Sequence, residues 1–80
     1  MRDIEIGKTY RHFSGNYYRV LYIAIDSVTN NEVVVYEQLG NKHTVWTRPI
    51  EMFNEQVDHK KYPDVMQTYK FEPISDYLGD

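Results

Sequence analysis

The residues with the types and spacing to do chemistry sit in three stretches: Tyr10, Arg11, His12 and Asn16; Tyr36; and Trp46 with Arg48. Indole and phenol rings present faces on which a planar group stacks, and a guanidinium presents a flat fork of donors that matches a carboxylate. Gathered on one side of a small domain, Tyr10, His12, Asn16, Tyr36, Trp46 and Arg48 form a candidate ligand-binding set for a peptide, a protein or a small molecule. The same residues also suit a purely structural use, with Trp46 capping a barrel end, Arg48 pairing with Glu37 or Glu51, and His12 bonding a turn carbonyl. Small barrels need such polar staples to seal their ends.

A second set, Arg11, Lys60, Lys61 and Tyr62, has the mixture of cations and rings that holds single-stranded nucleic acid, where bases stack and lysines track phosphates. Against it, the two lysines lie between Asp58 and Asp64, as in an ordinary solvated loop. Nine basic against twelve acidic residues leave a net charge of −3, which repels a phosphate backbone and disfavours a nucleic-acid partner.

Other chemistries lack their signatures. His12, His43 and His59 stand in separate segments with no i, i+3 or i, i+4 pairing, so no metal site is expected. Ser14, Ser27 and Ser75 have no nucleophile-elbow sequence around them, and the four glycines are too scattered to cradle a phosphate. No cofactor and no catalytic activity are expected. With no cysteine there is neither a disulfide framework nor a thiolate metal site, which suits a reducing, cytoplasmic setting. No apolar run approaches the ~20 residues of a membrane span, and Met1-Arg2-Asp3-Ile4-Glu5 lacks the apolar segment of a signal peptide, so no membrane partner is expected.

The elements that must position these residues follow from periodicity. Tyr17 to Asp26 is the longest apolar run and rich in aromatic and β-branched residues, which fit a pleated surface. Strict alternation puts Tyr18, Val20, Tyr22 and Ala24 on one face and Arg19, Leu21, Ile23 and Ile25 on the other. Both faces are then largely apolar, which predicts a long central strand of a curled sheet with a bulge near Tyr22. Gly7 to Phe13 reads as a first strand after an ordered lead-in, and Ser14-Gly15-Asn16 as its turn. Asn30-Asn31 can take positive φ in a hairpin into a strand from Glu32 to Leu39, and Gly40-Asn41-Lys42 makes the next turn, into a strand from His43 to Arg48.

Pro49 cannot donate to a ladder but fits the first turn of a helix, so the strand ends there and Ile50, Phe53 and Val57 continue at i, i+3 and i+7. One to two turns are predicted from Pro49 to Gln56. Asp58 to Asp64 reads as a surface loop, and Val65 to Phe71 as a last strand with Val65, Tyr69 and Phe71 inward. Ser75 to Asp80 is a polar tail. The eighty residues make one mainly β domain, a small, partly open barrel of SH3-like type with four to five antiparallel strands and one short helical turn. An open sheet against the one helix is the alternative. Val20, Leu21, Val35, Val45 and Phe53 are the expected core.

Three motifs carry a resemblance: Tyr10-Arg11-His12-Phe13-Ser14-Gly15-Asn16-Tyr17-Tyr18-Arg19-Val20-Leu21, Val34-Val35-Tyr36, and Trp46-Thr47-Arg48-Pro49-Ile50-Glu51-Met52-Phe53. Together they resemble a small bacterial family known as domain of unknown function 1653, over roughly Gly7 to Val57 with the strand near Phe71 also fitting. The resemblance implies a compact bacterial domain, alone or as a module, and brings no activity and no site residues with it. The chain departs from the family at Asn30-Asn31, where the family resembles a glycine-containing turn.

Overall fold

The long apolar run forms the central strand of a five-stranded antiparallel sheet. The computed structural model describes residues 2–40 and 43–74. Its elements are β1 (Thr9–His12), β2 (Tyr17–Ile25), β3 (Glu32–Gln38), β4 (Val45–Pro49), a single helical turn α1 (Ile50–Phe53), and β5 (Phe71–Pro73). The strands stand in the order β4-β3-β2-β1-β5. This is the mainly β plan expected from the sequence, with α1 between the two edge strands.

The bulge falls where the doubly apolar run calls for it. Val20 pairs with Tyr36 and Tyr22 with Val35, so Leu21 is the extra residue. An extra residue reverses which side chains face inward. Tyr18 and Val20 point to the core before it and Ile23 after it, while Tyr22 turns outward and is exposed. Asn30 takes the left-handed φ of 61° that the β2–β3 hairpin needs. The expected turn residues Asn41 and Lys42, and the tail from Ser75 to Asp80, lie outside the described residues.

Two boundaries differ from expectation. Helical geometry stops at Phe53 rather than Gln56, because Gln56 bridges to Tyr69 and the chain runs extended beside 68–70. The last strand begins at Phe71 rather than Val65, since Gln67 turns its side-chain amide onto the carbonyls of Arg11, Tyr69 and Lys70 and holds 65–70 as a loop. The lead-in, as expected, is ordered without forming a strand. Ile4 is buried, and Arg2 anchors the segment through Asn54 Oδ1 at 2.8 Å, the Phe71 carbonyl, and the Tyr69 ring at 3.9 Å.

The core consists of Ile4, Tyr10, Val20, Val34, Tyr36, Phe53 and Phe71. Of the expected core, Val20 and Phe53 are fully buried, Leu21 and Val35 are half-buried, and Val45 is 54% exposed. The correction has one cause. Val35 and Val45 occupy the outer face of the ladder, and the inner face belongs to Val34, Tyr36, Trp46 and Arg48. Phe53 and Phe71 stack at 4.2 Å with planes 11° apart, while Tyr10 and Tyr36 meet the Phe53 ring edge-on at 5.4 and 5.3 Å. Such ring pairs each contribute about 0.5–1.5 kcal/mol beyond their buried area.

The sheet is strongly curled. In a flat sheet β4 and β5, four strand spacings apart, would be separated by about 19 Å, and side chains standing perpendicular to it could not meet. Yet Tyr36 of β3 lies 5.7 Å from Phe71 of β5, and the Arg48 guanidinium of β4 lies 5.0 Å from that ring.

Candidate functional site

Curling brings the inner-face residues of all five strands to one mouth. β3 and β4 pair Tyr36 with Trp46 and Val34 with Arg48, β1 and β2 pair Tyr10 with Tyr18, and β1 and β5 pair His12 with Phe71. Directly opposed residues share a face, so register puts His12, Tyr18, Tyr36, Trp46, Arg48 and Phe71 on the inner face, and the curl draws them together. With Ser14 from the first turn they enclose an open cavity of about 250 Å³.

Of the candidate ligand-binding set, His12, Tyr36, Trp46 and Arg48 line this cavity. Tyr10 does not. It is buried beneath the mouth, and its hydroxyl accepts a hydrogen bond from the Glu5 N–H at 3.1 Å. Asn16 is exposed on the turn and contributes its backbone carbonyl to the His12 N–H. Three lining residues, Tyr18, Phe71 and Ser14, fall outside the set that residue type and spacing suggest. For Tyr18 and Phe71 the sequence does carry a signal, since Tyr18 alternates onto the face of Val20 and Phe71 is expected inward. Ser14 joins through tertiary placement of the turn.

Arg48 is half-buried, and its side chain makes no hydrogen bond or ion pair among the described residues. The expected pairing with Glu37 or Glu51 does not form, and the guanidinium rests on the Phe71 ring instead. The other arginines differ. Arg2 is held as above and Arg11 donates to Gln67 Oε1 at 2.5 Å.

His12 does not make the expected bond to a turn carbonyl. Its Nδ1 instead accepts from the Ser14 backbone N–H at 3.1 Å, with Ser14 Oγ 2.7 Å away. The ring proton therefore sits on Nε2. Burial, then the nearby charges of Arg48 and Lys70, push the imidazole below its ordinary value of 6.5, so it is neutral at pH 7.

A second open cavity, about 350 Å³, shares His12 and Arg48 with the first and continues to Phe13, Asp58, Lys61, Tyr62 and Lys70. Lys61 lies 5.5 Å from the Tyr62 ring, and Tyr62 lies 5.1 Å from Phe13. Lys70 is paired with Glu55 at 2.8 Å. Of the alternative nucleic-acid set, Lys61 and Tyr62 line this second cavity, whereas Arg11 and Lys60 line neither. His59 meets the Gln67 carbonyl at 2.9 Å, and among the described residues no group of three His, Asp or Glu side chains is placed to hold a metal ion.

The chain matches, over residues 8–73, the family described as Protein of unknown function (DUF1653). It belongs to that family. This DUF1653 chain is also similar to the crystal structure of a DUF1653 protein from Bordetella bronchiseptica, with 29% sequence identity, 94% of this chain and 92% of that chain covered, and a TM-score of 0.74. Among curated proteins none is significantly similar. The DUF1653 match spans β1 to β5 and so includes every residue that lines the two cavities.

Proposed function

We propose that this DUF1653 protein is a non-catalytic binding module of the bacterial cytoplasm, whose ligand presents a carboxylate to Arg48 and a flat or apolar group to Trp46, Tyr18 and Tyr36. One observation carries this reading. A half-buried guanidinium opens onto an aromatic-walled cavity with no anion to meet it among the described residues. Partly buried cations are usually paired, and an unpaired one beside rings suits a carboxylate that arrives from outside.

The Ser14–His12 contact resembles a nucleophile and its base, but the surroundings oppose that use. A catalytic base needs a group that orients it and stabilises its protonated form. Here Nδ1 is taken up by Ser14 itself, and the charges that act on the ring are the cations Arg48 and Lys70. The bacterial setting is supported by the relative from Bordetella bronchiseptica. The cytoplasmic one is supported by a chain without cysteine and, among the described residues, without a helix long and apolar enough to cross a membrane.

Trp46 is the single tryptophan and stands in the cavity wall, so its fluorescence reports occupancy without a label. Benzoate, a carboxylate on a flat ring, should shift that emission saturably in the wild type and should do so far less in Arg48→Gln. Identical titrations of the two proteins would overturn the proposal.

A second reading, binding of single-stranded nucleic acid, rests on Lys61 beside Tyr62 and Phe13. It predicts oligonucleotide binding that weakens steeply between low and physiological salt. No oligonucleotide binding even at low salt would remove it.

A further inference from the structure

The two cavities meet at His12 and Arg48, so one groove runs from Trp46 on β4 past Arg48 to Lys61 and Tyr62 on the loop after α1. Its charged wall is dominated by cations. Arg48 has no anionic partner among the described residues, and Lys61 has only the Tyr62 ring. The acidic residue in the wall, Asp58, is turned to its own loop, where its Oδ1 accepts the Lys60 and Lys61 backbone N–H groups at 3.0 and 3.3 Å. In a protein of net charge −3 this concentrates positive charge along one line.

The backbone along that groove is also incomplete. The Gln38 N–H donates to the Thr44 carbonyl at 2.8 Å, which makes this a hydrogen-bonded pair of the antiparallel ladder. Such pairs alternate, so Trp46 and Arg48 face β3, whereas the N–H and C=O groups of Val45 and Thr47 point to the open edge. β4 is the outermost strand, and among the described residues Val45 and Thr47 form no backbone hydrogen bond beyond the ladder. Pro49 has no N–H and ends the edge.

We infer that the groove takes an extended acidic peptide that adds as a strand to the edge of β4 at Val45 and Thr47, with one carboxylate on Arg48 and a second on Lys61. An added strand uses its backbone for affinity and its alternate side chains for selection. The groove provides both requirements: two strand residues whose backbone groups face the open edge, and two cations in its walls for carboxylates carried along one chain. Single-stranded nucleic acid would use the same cations and rings but has no amide backbone to pair with Val45 and Thr47. This inference rests on the binding reading given above and names the partner class.

The probe is an acetylated, amidated peptide of alternating glutamate and valine, about eight residues long and about 26 Å when extended. It should shift Trp46 emission at concentrations at least about tenfold below those benzoate needs, since it joins a second charge-assisted contact and backbone pairing to the first. Lys61→Gln, a change on an exposed side chain, should weaken the peptide severalfold and leave benzoate unchanged. Hydrogen exchange read by NMR should slow at the Val45 and Thr47 amides when the peptide is bound.

If the peptide binds no better than benzoate, or Val45 and Thr47 stay unprotected, the strand-addition inference falls while Arg48-dependent benzoate binding keeps the simpler reading. If benzoate also fails, both fall. If an oligothymidine of about eight nucleotides binds with a steep salt dependence and without protecting those amides, the groove belongs to nucleic acid and the peptide inference is overturned.

Discussion

The guanidinium carbon of Arg48 lies 5.0 Å from the centre of the Phe71 ring, joining strands that stand at opposite edges of the sheet. The contact uses the cationic group against a ring and leaves its N–H donors without an ion-pair partner among the described residues. Arg48→Lys keeps the charge and loses the planar fork, so a loss of about 0.5–1 kcal/mol is expected, or a melting temperature lower by about 2–8 °C. Benzoate affinity should fall much more in proportion. Calorimetric melts and Trp46 titrations of the same variant check both halves, and a loss of several kcal/mol would mark Arg48 as a structural staple instead.

Phe53 is the centre of the aromatic core, in contact with Tyr10, Tyr36 and Phe71. Phe53→Ala should remove about 3–5 kcal/mol, a large share of what an eighty-residue domain has. Val45→Ala, on the exposed outer face, should stay within about 0.5 kcal/mol of the wild type. Urea unfolding of the two variants side by side tests whether the inner face of the ladder is assigned correctly.

His12 gives the fold a pH dependence whose sign follows from its surroundings. Burial, Arg48 and Lys70 make the folded imidazole hold its proton less tightly than the unfolded chain does, below the ordinary value of 6.5. From the folded value up to 6.5 the unfolded state binds more protons, so stability rises with pH through that window and falls on acidification. The urea midpoint should drop between about pH 7 and about pH 5, and His12→Gln should show a smaller drop over the same interval. Equal slopes in the two proteins would contradict the assignment.

Gln67 ties the loop before β5 to β1 through one side chain. Its Oε1 accepts from Arg11, and its Nε2 lies 3.1 Å from the Arg11 carbonyl and 3.0 Å from the Tyr69 carbonyl. Gln67→Ala leaves these part-buried groups without that partner and should lower stability by about 1–2 kcal/mol. Denaturant unfolding measures the loss, and faster amide exchange at Phe13, which bonds the Lys70 carbonyl, would place it at this joint.

The features legible in the amino-acid sequence are those set within a few residues of chain. Alternation with β-branched and aromatic side chains marks β2, β3 and β4, Pro49 ends β4, and Asn30 supplies a positive φ. The doubly apolar face of β2 signals the bulge at Leu21. Less legible is which face of β3 and β4 turns inward, because Val33, Val34 and Val35 are equally apolar and only pairing to β2 beyond the bulge selects Val34. Local pattern therefore puts Val45 in the core and Arg48 beside a glutamate, while the structure exposes the first and sets the second on Phe71.

By itself the sequence determined β1 to β4, the turn at Asn30 and the residue types available for binding, since these follow from local backbone preference and side-chain period. Tertiary structure alone decided that His12, Tyr18, Tyr36, Trp46, Arg48 and Phe71 share one mouth. That outcome depends on how far the sheet curls before β5 approaches β4. Curl is the summed twist of strand pairs whose register is set by contacts distant in sequence, and no single stretch of the chain encodes it.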